Sequence, residues 1–252
     1  IMIALTHRLA GSLFALAVPL ASLLLPAAAW AGAAERLAER LEVNGQPMPV
    51  ASVHETPVPG FYLVRLETGE AFYSDAEGKY FLVGDLYENG QGGLTNLTEQ
   101  SRNVERAEQL ANVPESERVV FRGTAEKRAE IFVFTDTTCP YCRQFHEEVP
   151  TLNEMGIEVH YLAFPRAGMN SQGARILEQI WCDGNPTEAM NAGKRQETLS
   201  GGTDCDNPVE AQYHLGMTVG VQGTPAIVLP DGRLVPGYVP AERLADMLGL
   251  AE

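Results

Sequence analysis

The chain has 252 residues, of which 45% are hydrophobic and 20% are charged, and its formal net charge at pH 7 is −15. This composition allows a packed core and excludes an intrinsically disordered chain. The acidic balance excludes the basic groove with which proteins bind nucleic acid, and the length allows two modest domains.

The first residues have the pattern of a secretory signal peptide. Arg8 precedes an apolar run over residues 13–25, and a small-residue pattern of the kind that signal peptidase recognises ends at Ala31. A membrane anchor is the alternative, but the run is shorter than the roughly 20 apolar residues that span a bilayer. We predict that residues 1–31 are a signal peptide and that the protein works in the periplasm.

Residues 32–97 are predicted to form a small α+β domain. A helical pattern over residues 33–43 precedes short aromatic and β-branched runs separated by Gly and Asp, which are typical of an antiparallel meander. A core of this size is marginal, and an exposed edge strand is a natural place to pair with a second copy. We therefore predict a dimerisation domain, with a folded monomer as the alternative.

Residues 98–118 are predicted to form a linker helix. The segment is polar and favours a helix, its few apolar contacts are Leu110 and Val113, and Pro114 ends the pattern. A helix with so little to bury is typical of a connector between domains. We place the domain boundary there.

Strands and helices alternate over residues 119–252. Three strands are predicted in the first half, at residues 119–121, 131–136 and 157–164. A helix begins at the first cysteine pair and runs to about residue 155. Three further helical patterns follow, over residues 171–183, 186–195 and 208–219. Two short strands across a Pro-Asp-Gly turn and a last helix complete an α/β fold with a helical insertion.

The motif Cys139-Pro140-Tyr141-Cys142 directly follows a buried-strand pattern. Proline is favoured at the first position of a helix, so Cys139 is predicted to be the N-cap. Free amides and the helix dipole favour an anion there, and such an environment lowers a thiol pKa from about 8.5 to roughly 3.5–7.5. We predict that Cys139 is the nucleophile and that Cys142 resolves the mixed disulfide.

A metal site or an inert bridge is the alternative for this pair. Zinc needs two further ligands, and the remaining cysteines, Cys182 and Cys205, are too far apart in sequence to form a second clip. We therefore favour a redox-active pair and expect no metal and no cofactor. For Cys182 and Cys205 the simplest account is a structural disulfide worth about 3 kcal/mol, and a second catalytic pair is the alternative.

Four segments together resemble the DsbC/DsbG family of bacterial periplasmic disulfide isomerases: FTDTTCPYCRQFHEEVP, GIEVHYLAFPRAG, IWCDG and YHLGMTVGVQGTPAIVLPDGRLVPGY. The resemblance implies a thioredoxin fold with a helical insertion, preceded by the linker helix and the small dimerisation domain. It implies a thiol:disulfide interchange enzyme that rearranges wrong disulfides in misfolded exported proteins. A homodimer that receives electrons from a membrane reductase of the DsbD type is implied as well.

The resemblance also assigns residues. Pro225 matches the cis-proline that faces the cysteine pair in thioredoxin folds, with Thr224 before it, and the backbone there can pair with an extended substrate. Cys182 and Cys205 match a structural disulfide typical of the DsbC branch. Their presence makes the chain more similar to DsbC than to DsbG.

The chain departs from the family pattern at the site. Pro140-Tyr141 resembles the DsbG branch, whereas DsbC commonly has Gly-Tyr, and this dipeptide tunes the thiolate. A DsbG-like reductase that protects single cysteines from over-oxidation is therefore an alternative, as is a holdase chaperone with incidental cysteines. Asp136 is the nearest acid and is expected to cap a turn rather than take protons from a thiol. His146 is expected to be solvated.

Overall fold

A computed structural model describes residues 28–250. The predicted signal peptide lies outside the described residues as far as position 27, and the first helix, α1 (Ala28–Arg40), begins before the predicted cleavage site. None of the helices within residues 28–250 has both the length and the apolar composition that a bilayer crossing requires.

The N-terminal region packs α1 against a small antiparallel sheet. Leu37 and Leu41 form a core with Val64 and Phe72 of the sheet. The four-stranded sheet has the order β3-β4-β5-β6, and β1–β2 and β7–β8 are separate pairs. The strands are β1 (Glu42–Val43), β2 (Gln46–Pro47), β3 (Val50–Glu55), β4 (Phe61–Leu66), β5 (Ala71–Asp75), β6 (Phe81–Leu82), β7 (Tyr87–Gly90) and β8 (Gly93–Asn96).

The helix predicted over residues 33–43 ends earlier, at Arg40. Asn44 and Gly45 have φ values of 53° and 75°, so they form a two-residue turn between β1 and β2. An Asn-Gly pair is the strongest short signal for such a turn, because both positions need positive φ. The last residues of the predicted helix therefore belong to the hairpin that this turn connects.

The segment predicted as a linker helix contains α2 (Leu97–Ala111) and a single 3₁₀ turn, Glu115–Glu117. Asn96 caps α2, since its side chain accepts a hydrogen bond of 2.9 Å from the Glu99 amide. Leu110 and Val113 are both buried. The α-helix therefore ends before Pro114 rather than at it.

Helix α2 is docked on the following domain through Arg106, which is buried. The Arg106 guanidinium donates hydrogen bonds to the carbonyls of Val219, at 2.9 Å, and Gly232, at 2.6 Å. Gly232 has a φ of 80°, and a Cβ at this position would lie 1.8 Å from the Asn103 carbonyl oxygen, so only glycine fits. A helix that is polar in sequence is thus tied to the next domain by the hydrogen bonds of Arg106 and by the apolar contacts of Leu110.

The C-terminal region is built on a five-stranded sheet with the order β13-β12-β10-β11-β9. Only β10 and β11 are parallel among its neighbouring strands. Ile131 and Val133 pack on one face of the sheet, and Phe132 and Phe134 pack on the other. The strands are β9 (Val119–Phe121), β10 (Ala129–Thr135), β11 (Ile157–Ala163), β12 (Ala226–Val228) and β13 (Leu234–Pro236).

Helices cover both faces of this sheet. They are α3 (Pro140–Glu147), α4 (Val149–Glu154), α5 (Gln172–Trp181), α6 (Pro186–Lys194), α7 (Val209–Thr218) and α8 (Ala241–Met247). The single helix predicted from the cysteine pair to residue 155 is wrong, because it breaks at Glu148 into α3 and α4. Pro150 lies in the first turn of α4, where its missing amide costs nothing, whereas one continuous helix would need that amide.

Candidate active site

The cysteine pair lies where α3 begins, directly beyond the end of β10. Cys139 is the N-cap of α3 and Pro140 is its first residue. The Thr224–Pro225 peptide bond is cis, and the Cys139 sulfur donates a hydrogen bond of 3.2 Å to the Thr224 carbonyl. The loop before β12 therefore covers the cysteine pair.

Both thiols are free and almost fully buried. Cys139 is 1% exposed and Cys142 is 0% exposed, whereas Tyr141 between them is 62% exposed. Cys142 is the less exposed of the two, and the Thr224 carbonyl lies against the Cys139 sulfur. The outer edge of the site is formed by Pro140 and Tyr141.

Cys139 is the acidic thiol of the pair. A hydrogen bond with the Cys142 thiol lowers the pKa of Cys139 from its usual 9.0 to about 5, and Thr224, the Cys142 amide and the Arg166 charge contribute in the same direction against burial. The sequence argument relied on the helix N-terminus alone. The neighbouring thiol is the larger cause, and the helix amide adds to it.

Cys142 has the opposite character. Burial, together with the hydrogen bond that it gives to Cys139, raises the pKa of the Cys142 thiol well above its usual range, and the charge of Lys194 partly offsets this. At neutral pH the reduced site therefore holds one thiolate, on Cys139, and one thiol, on Cys142. This is the distribution that a nucleophile and a resolving thiol require.

Asp136 caps the turn that precedes Cys139. One carboxylate oxygen accepts hydrogen bonds from the Thr138 amide and hydroxyl, at 2.8 and 2.7 Å. The other accepts from the Arg166 amide at 3.0 Å and pairs with the Arg166 guanidinium at 3.4 Å. The buried carboxylate thus holds Arg166 at the site, where its charge favours the Cys139 thiolate.

His146 is half-buried, and the expectation that it is solvated is wrong. Its two ring nitrogens lie 2.9 Å from the Tyr161 hydroxyl and 2.9 Å from the Asn191 side-chain oxygen. Burial, with a further contribution from Lys194, lowers the pKa of His146 to about 4, so the ring is neutral at physiological pH. It joins α3 to β11 and to α6.

Cys182 and Cys205 are joined by a disulfide, with 5.7 Å between their Cα atoms. Cys182 ends α5, and Cys205 precedes α7, so the bridge closes the segment that contains α6. This position fits a structural role.

One group of side chains within residues 28–250 has the spacing of a metal site. Glu130, Glu158 and His160 place their ligand atoms within 4.8 Å of one another. Both carboxylates are already neutralised: Lys127 lies 2.6 Å from Glu130, and Arg122 lies 3.1 Å from Glu158. We assign this group to ion pairing.

The structure brings together Cys139, Cys142 and the Thr224–Pro225 loop, as the resemblance implies. Sequence reasoning missed the cations at the site, Arg166 and Lys194. Arg166 lies inside one of the four segments that carry the resemblance, so its position was a usable signal. Lys194 ends a helix, where a lysine is usually solvated and interacts with the helix dipole, and nothing in its neighbours indicates burial.

Comparison with known proteins identifies the family. A model of a thioredoxin-like domain matches residues 115–252, and a model of the N-terminal domain of disulfide bond isomerases matches residues 26–99. The thiol:disulfide interchange protein DsbC of Dickeya dadantii is 38% identical over 92% of this chain and 94% of its own length. The chain belongs to the DsbC family.

A second curated relative agrees with this assignment, and one solved structure shows a partial likeness. DsbC of Escherichia coli K12 is 36% identical over 79% of this chain and 80% of its own length. A crystal structure of a disulfide interchange protein from Neisseria gonorrhoeae is 27% identical and covers 56% of this chain and 100% of that one, with a TM-score of 0.48. The resemblance seen in the sequence, the thioredoxin-like fold and the thiol:disulfide interchange activity are confirmed by the DsbC relatives and the two domain matches.

Proposed function

We propose that this member of the DsbC family rearranges wrong disulfides in exported proteins, with Cys139 as the nucleophile and Cys142 as the resolving thiol. The observation that carries the proposal is the difference between the two thiols. The pKa of Cys139 is lowered to about 5, while the pKa of Cys142 is raised far above its usual range. The Cys139 sulfur is therefore a thiolate that can attack, while the Cys142 sulfur stays protonated until the resolving step.

The reaction begins when the Cys139 thiolate attacks one sulfur of a substrate disulfide. A bond forms between Cys139 and that sulfur, and the other substrate sulfur leaves as a thiolate that takes up a proton from water. A second substrate thiolate can then attack the mixed disulfide, which restores Cys139 with no net transfer of electrons. This route is isomerisation.

The second route is reductive. Cys142 attacks the Cys139 sulfur, the substrate leaves with two electrons, and the cysteine pair is left as a disulfide. The pair must then be reduced before the next isomerisation, and we assign this step to a membrane reductase of the DsbD type.

The Thr224–Pro225 loop is the proposed substrate-binding segment. The Thr224 carbonyl oxygen lies 3.2 Å from the Cys139 sulfur, and the Pro225 carbonyl accepts a hydrogen bond of 2.8 Å from the Gly237 amide. An extended substrate that lies along this loop places its disulfide next to Cys139. Backbone pairing of this kind is independent of the substrate sequence, as an enzyme with many substrates requires.

A second copy of the chain is the proposed partner of the N-terminal region. The region between β5 and β8 exposes large apolar side chains, namely Tyr80 62%, Phe81 45%, Leu82 50%, Val83 84%, Tyr87 53% and Leu94 72%. The edge strand β6 lies within this surface. Exposed apolar surface beside an unpaired strand edge is typical of an interface, so we propose a homodimer.

The proposed domains keep the limits predicted from the sequence. They are a dimerisation domain over residues 32–97, a linker helix over 98–118 and a thioredoxin-like catalytic domain over 119–252.

The periplasm is the proposed location. The predicted signal peptide directs export, and a bonded Cys182–Cys205 pair fits an oxidising compartment.

The proposal is tested by the recovery of activity from a scrambled protein with several disulfides. The wild type is expected to restore activity, and Cys139→Ser is expected to restore none. Equal recovery by the two proteins contradicts the proposal.

The mass of the protein in solution tests the proposed dimer. A charged substitution in the exposed apolar surface, Leu82→Glu, is expected to give a monomer, and Glu88→Gln on β7 is the control.

A DsbG-like reductase is the second candidate, because the Pro140-Tyr141 dipeptide resembles that branch. It is favoured if reduction of a sulfenylated single cysteine is faster than isomerisation under the same conditions. Replacing Pro140 with Gly tests the cause: this variant is expected to shift the balance toward isomerisation.

A further inference from the structure

Lys194 is a buried lysine that the exchange reaction does not yet explain. It is 4% exposed, and its ammonium donates a hydrogen bond to the Thr135 hydroxyl and lies 5.1 Å from the centre of the Tyr161 ring. A hydroxyl and an aromatic face do not neutralise a charge, and a buried ammonium without an anion is strongly unfavourable. The charge therefore needs an anion in the same buried space.

The backbone around Lys194 is held in place by the packing of the neighbouring residues of α6. Asn191 of α6 contacts His146 of α3 at 2.9 Å. Gly193 is packed so closely that a Cβ there would lie 3.0 Å from the Ile180 side chain and 3.3 Å from the Thr137 side chain. These contacts hold the last turn of α6 against α3 and the loop that leads to Cys139.

Several titratable groups face Lys194 from the neighbouring elements: Cys139, Cys142, Arg143 and His146 from α3 and its N-cap, Asp136 from the loop after β10, and Tyr161 from β11. Asp136 is already bound to Arg166 and to the turn that it caps. His146 is neutral, as shown above. Of all these groups, Cys142 interacts with the Lys194 charge most strongly.

We propose that Lys194 is a positioning residue of the resolving step, whose fixed charge stabilises the Cys142 thiolate while it attacks the mixed disulfide. The inference rests on the proposed function, in which Cys142 is the resolving thiol. In this step the Cys142 proton leaves to water, a bond forms between the sulfurs of Cys142 and Cys139, and the bond from Cys139 to the substrate breaks. The substrate thiolate takes up a proton from water, so the substrate gains two electrons and the cysteine pair loses two.

The two cations of the site thus serve different sulfurs. Arg166 favours the thiolate of Cys139 and so promotes the first attack. Lys194 opposes the effect of burial on Cys142, which would otherwise keep this thiol protonated when it is needed. Loss of Lys194 is expected to slow resolution more than attack.

The experiment uses the full chain with oxidised glutathione as the probe. Reduced protein is mixed with the probe, samples are quenched in acid, and mass-resolved alkylation follows the mixed disulfide on Cys139. Lys194→Met keeps the apolar stem and removes the charge, and it is expected to lengthen the lifetime of the mixed disulfide roughly tenfold at pH 7, which corresponds to one pKa unit on Cys142. The difference is expected to shrink as the pH rises through about 8, because burial lowers the pKa of Lys194 to about 8 and the wild-type lysine then loses its charge.

Lys127→Met is the matched control, since Lys127 lies in the same domain and its side chain is 49% exposed. It is expected to leave the lifetime unchanged.

Thr135→Val is the second variant, because it removes the hydrogen bond that positions the Lys194 ammonium. It is expected to lengthen the lifetime about threefold, which corresponds to half a pKa unit on Cys142. An unchanged lifetime in folded Lys194→Met overturns the inference, and if that variant does not fold, an unchanged lifetime in Thr135→Val does so.

The Cys142→Ser variant separates this inference from the proposed function. It is expected to trap the mixed disulfide with glutathione. If it traps none, the roles of Cys139 and Cys142 are wrong. If it traps the mixed disulfide while Lys194→Met releases glutathione at the wild-type rate, only the role of Lys194 is wrong.

Discussion

The two cysteine pairs of this protein lie in one domain but differ in bonding, burial and charge. Cys182 and Cys205 form a disulfide, and Cys205 is exposed, whereas Cys139 and Cys142 are free and almost fully buried. Solvent exposure therefore does not decide which pair is reactive.

The surroundings of the two pairs differ in charge. The buried pair is flanked by Arg166 and by Lys194, both of which favour a thiolate. The bonded pair has acidic residues beside it in sequence, in the segments WCDG and TDCDN, and they disfavour a thiolate. The surrounding charges therefore favour a thiolate at Cys139 and Cys142 and disfavour one at Cys182 and Cys205.

Removing each cysteine pair in turn tests whether the two pairs have separate roles. Cys139→Ser with Cys142→Ser is expected to reduce turnover in insulin reduction to the background rate, and at neutral pH the reduced variant is expected to lose the stability that the Cys139 thiolate contributes. Turnover and urea denaturation are measured on the same preparations. Residual turnover above background would show that the bonded pair also exchanges.

The opposite variant, Cys182→Ser with Cys205→Ser, is expected to lose about 3 kcal/mol of stability, the loop-closure contribution of a disulfide of this span. The Cys139 thiolate is expected to survive, since its pKa depends on Cys142, Thr224 and Arg166. Urea denaturation gives the first quantity, and iodoacetamide alkylation gives the second. A loss of alkylation at neutral pH in the folded variant would contradict the separation of the two pairs.

The pH dependence of the reduced protein is the third prediction. The pKa of Cys139 is lowered from 9.0 to about 5, so its contribution to stability grows as the pH rises from about 5 toward 9 and is lost as the pH falls through 5. The iodoacetamide rate is expected to have a midpoint near pH 5. Reduced Cys139→Ala is the control, and its stability is expected to lack this gain between pH 5 and 8. A midpoint near 9 would refute the charge argument.

Arg166→Gln is expected to have the smallest effect. Arg166 is the last of the causes that lower the Cys139 pKa, and its side chain is 41% exposed, so solvent screens its charge. We expect the alkylation rate at pH 5 to fall about 1.5-fold to twofold, which corresponds to a few tenths of a pKa unit. Arg175→Gln, which changes an exposed arginine of α5, is the matched control and is expected to leave the rate unchanged.

Much of the fold can be predicted from the sequence because local signals agree with the tertiary structure. The apolar run of β10 and the proline that follows Cys139 place the nucleophile at a helix N-terminus before any contact is known. The break at Pro150 was missed because the helical pattern continues on both sides of it. The Asn44-Gly45 turn was missed because the preceding helical pattern is strong.

The charges of the site are harder to predict from the sequence. Lys194 and Arg106 are polar residues in helices with ordinary surface composition, and their burial depends on which distant segments pack against them. Arg106 is held by the carbonyls of two residues more than a hundred positions away. Such contacts leave no periodic signal, because one buried cation does not change a hydrophobic pattern.

The bridge between Cys182 and Cys205 encloses the helix that supplies Lys194. A newly made chain has four thiols, and until this bridge forms, non-covalent contacts alone hold α6 against α3. The protein is thus itself a product of oxidative folding: another catalyst, or a small oxidant, must join these two cysteines to complete the framework around the site. Formation of this bridge needs an oxidant, whereas the proposed isomerisation needs a reductant that keeps Cys139 and Cys142 free.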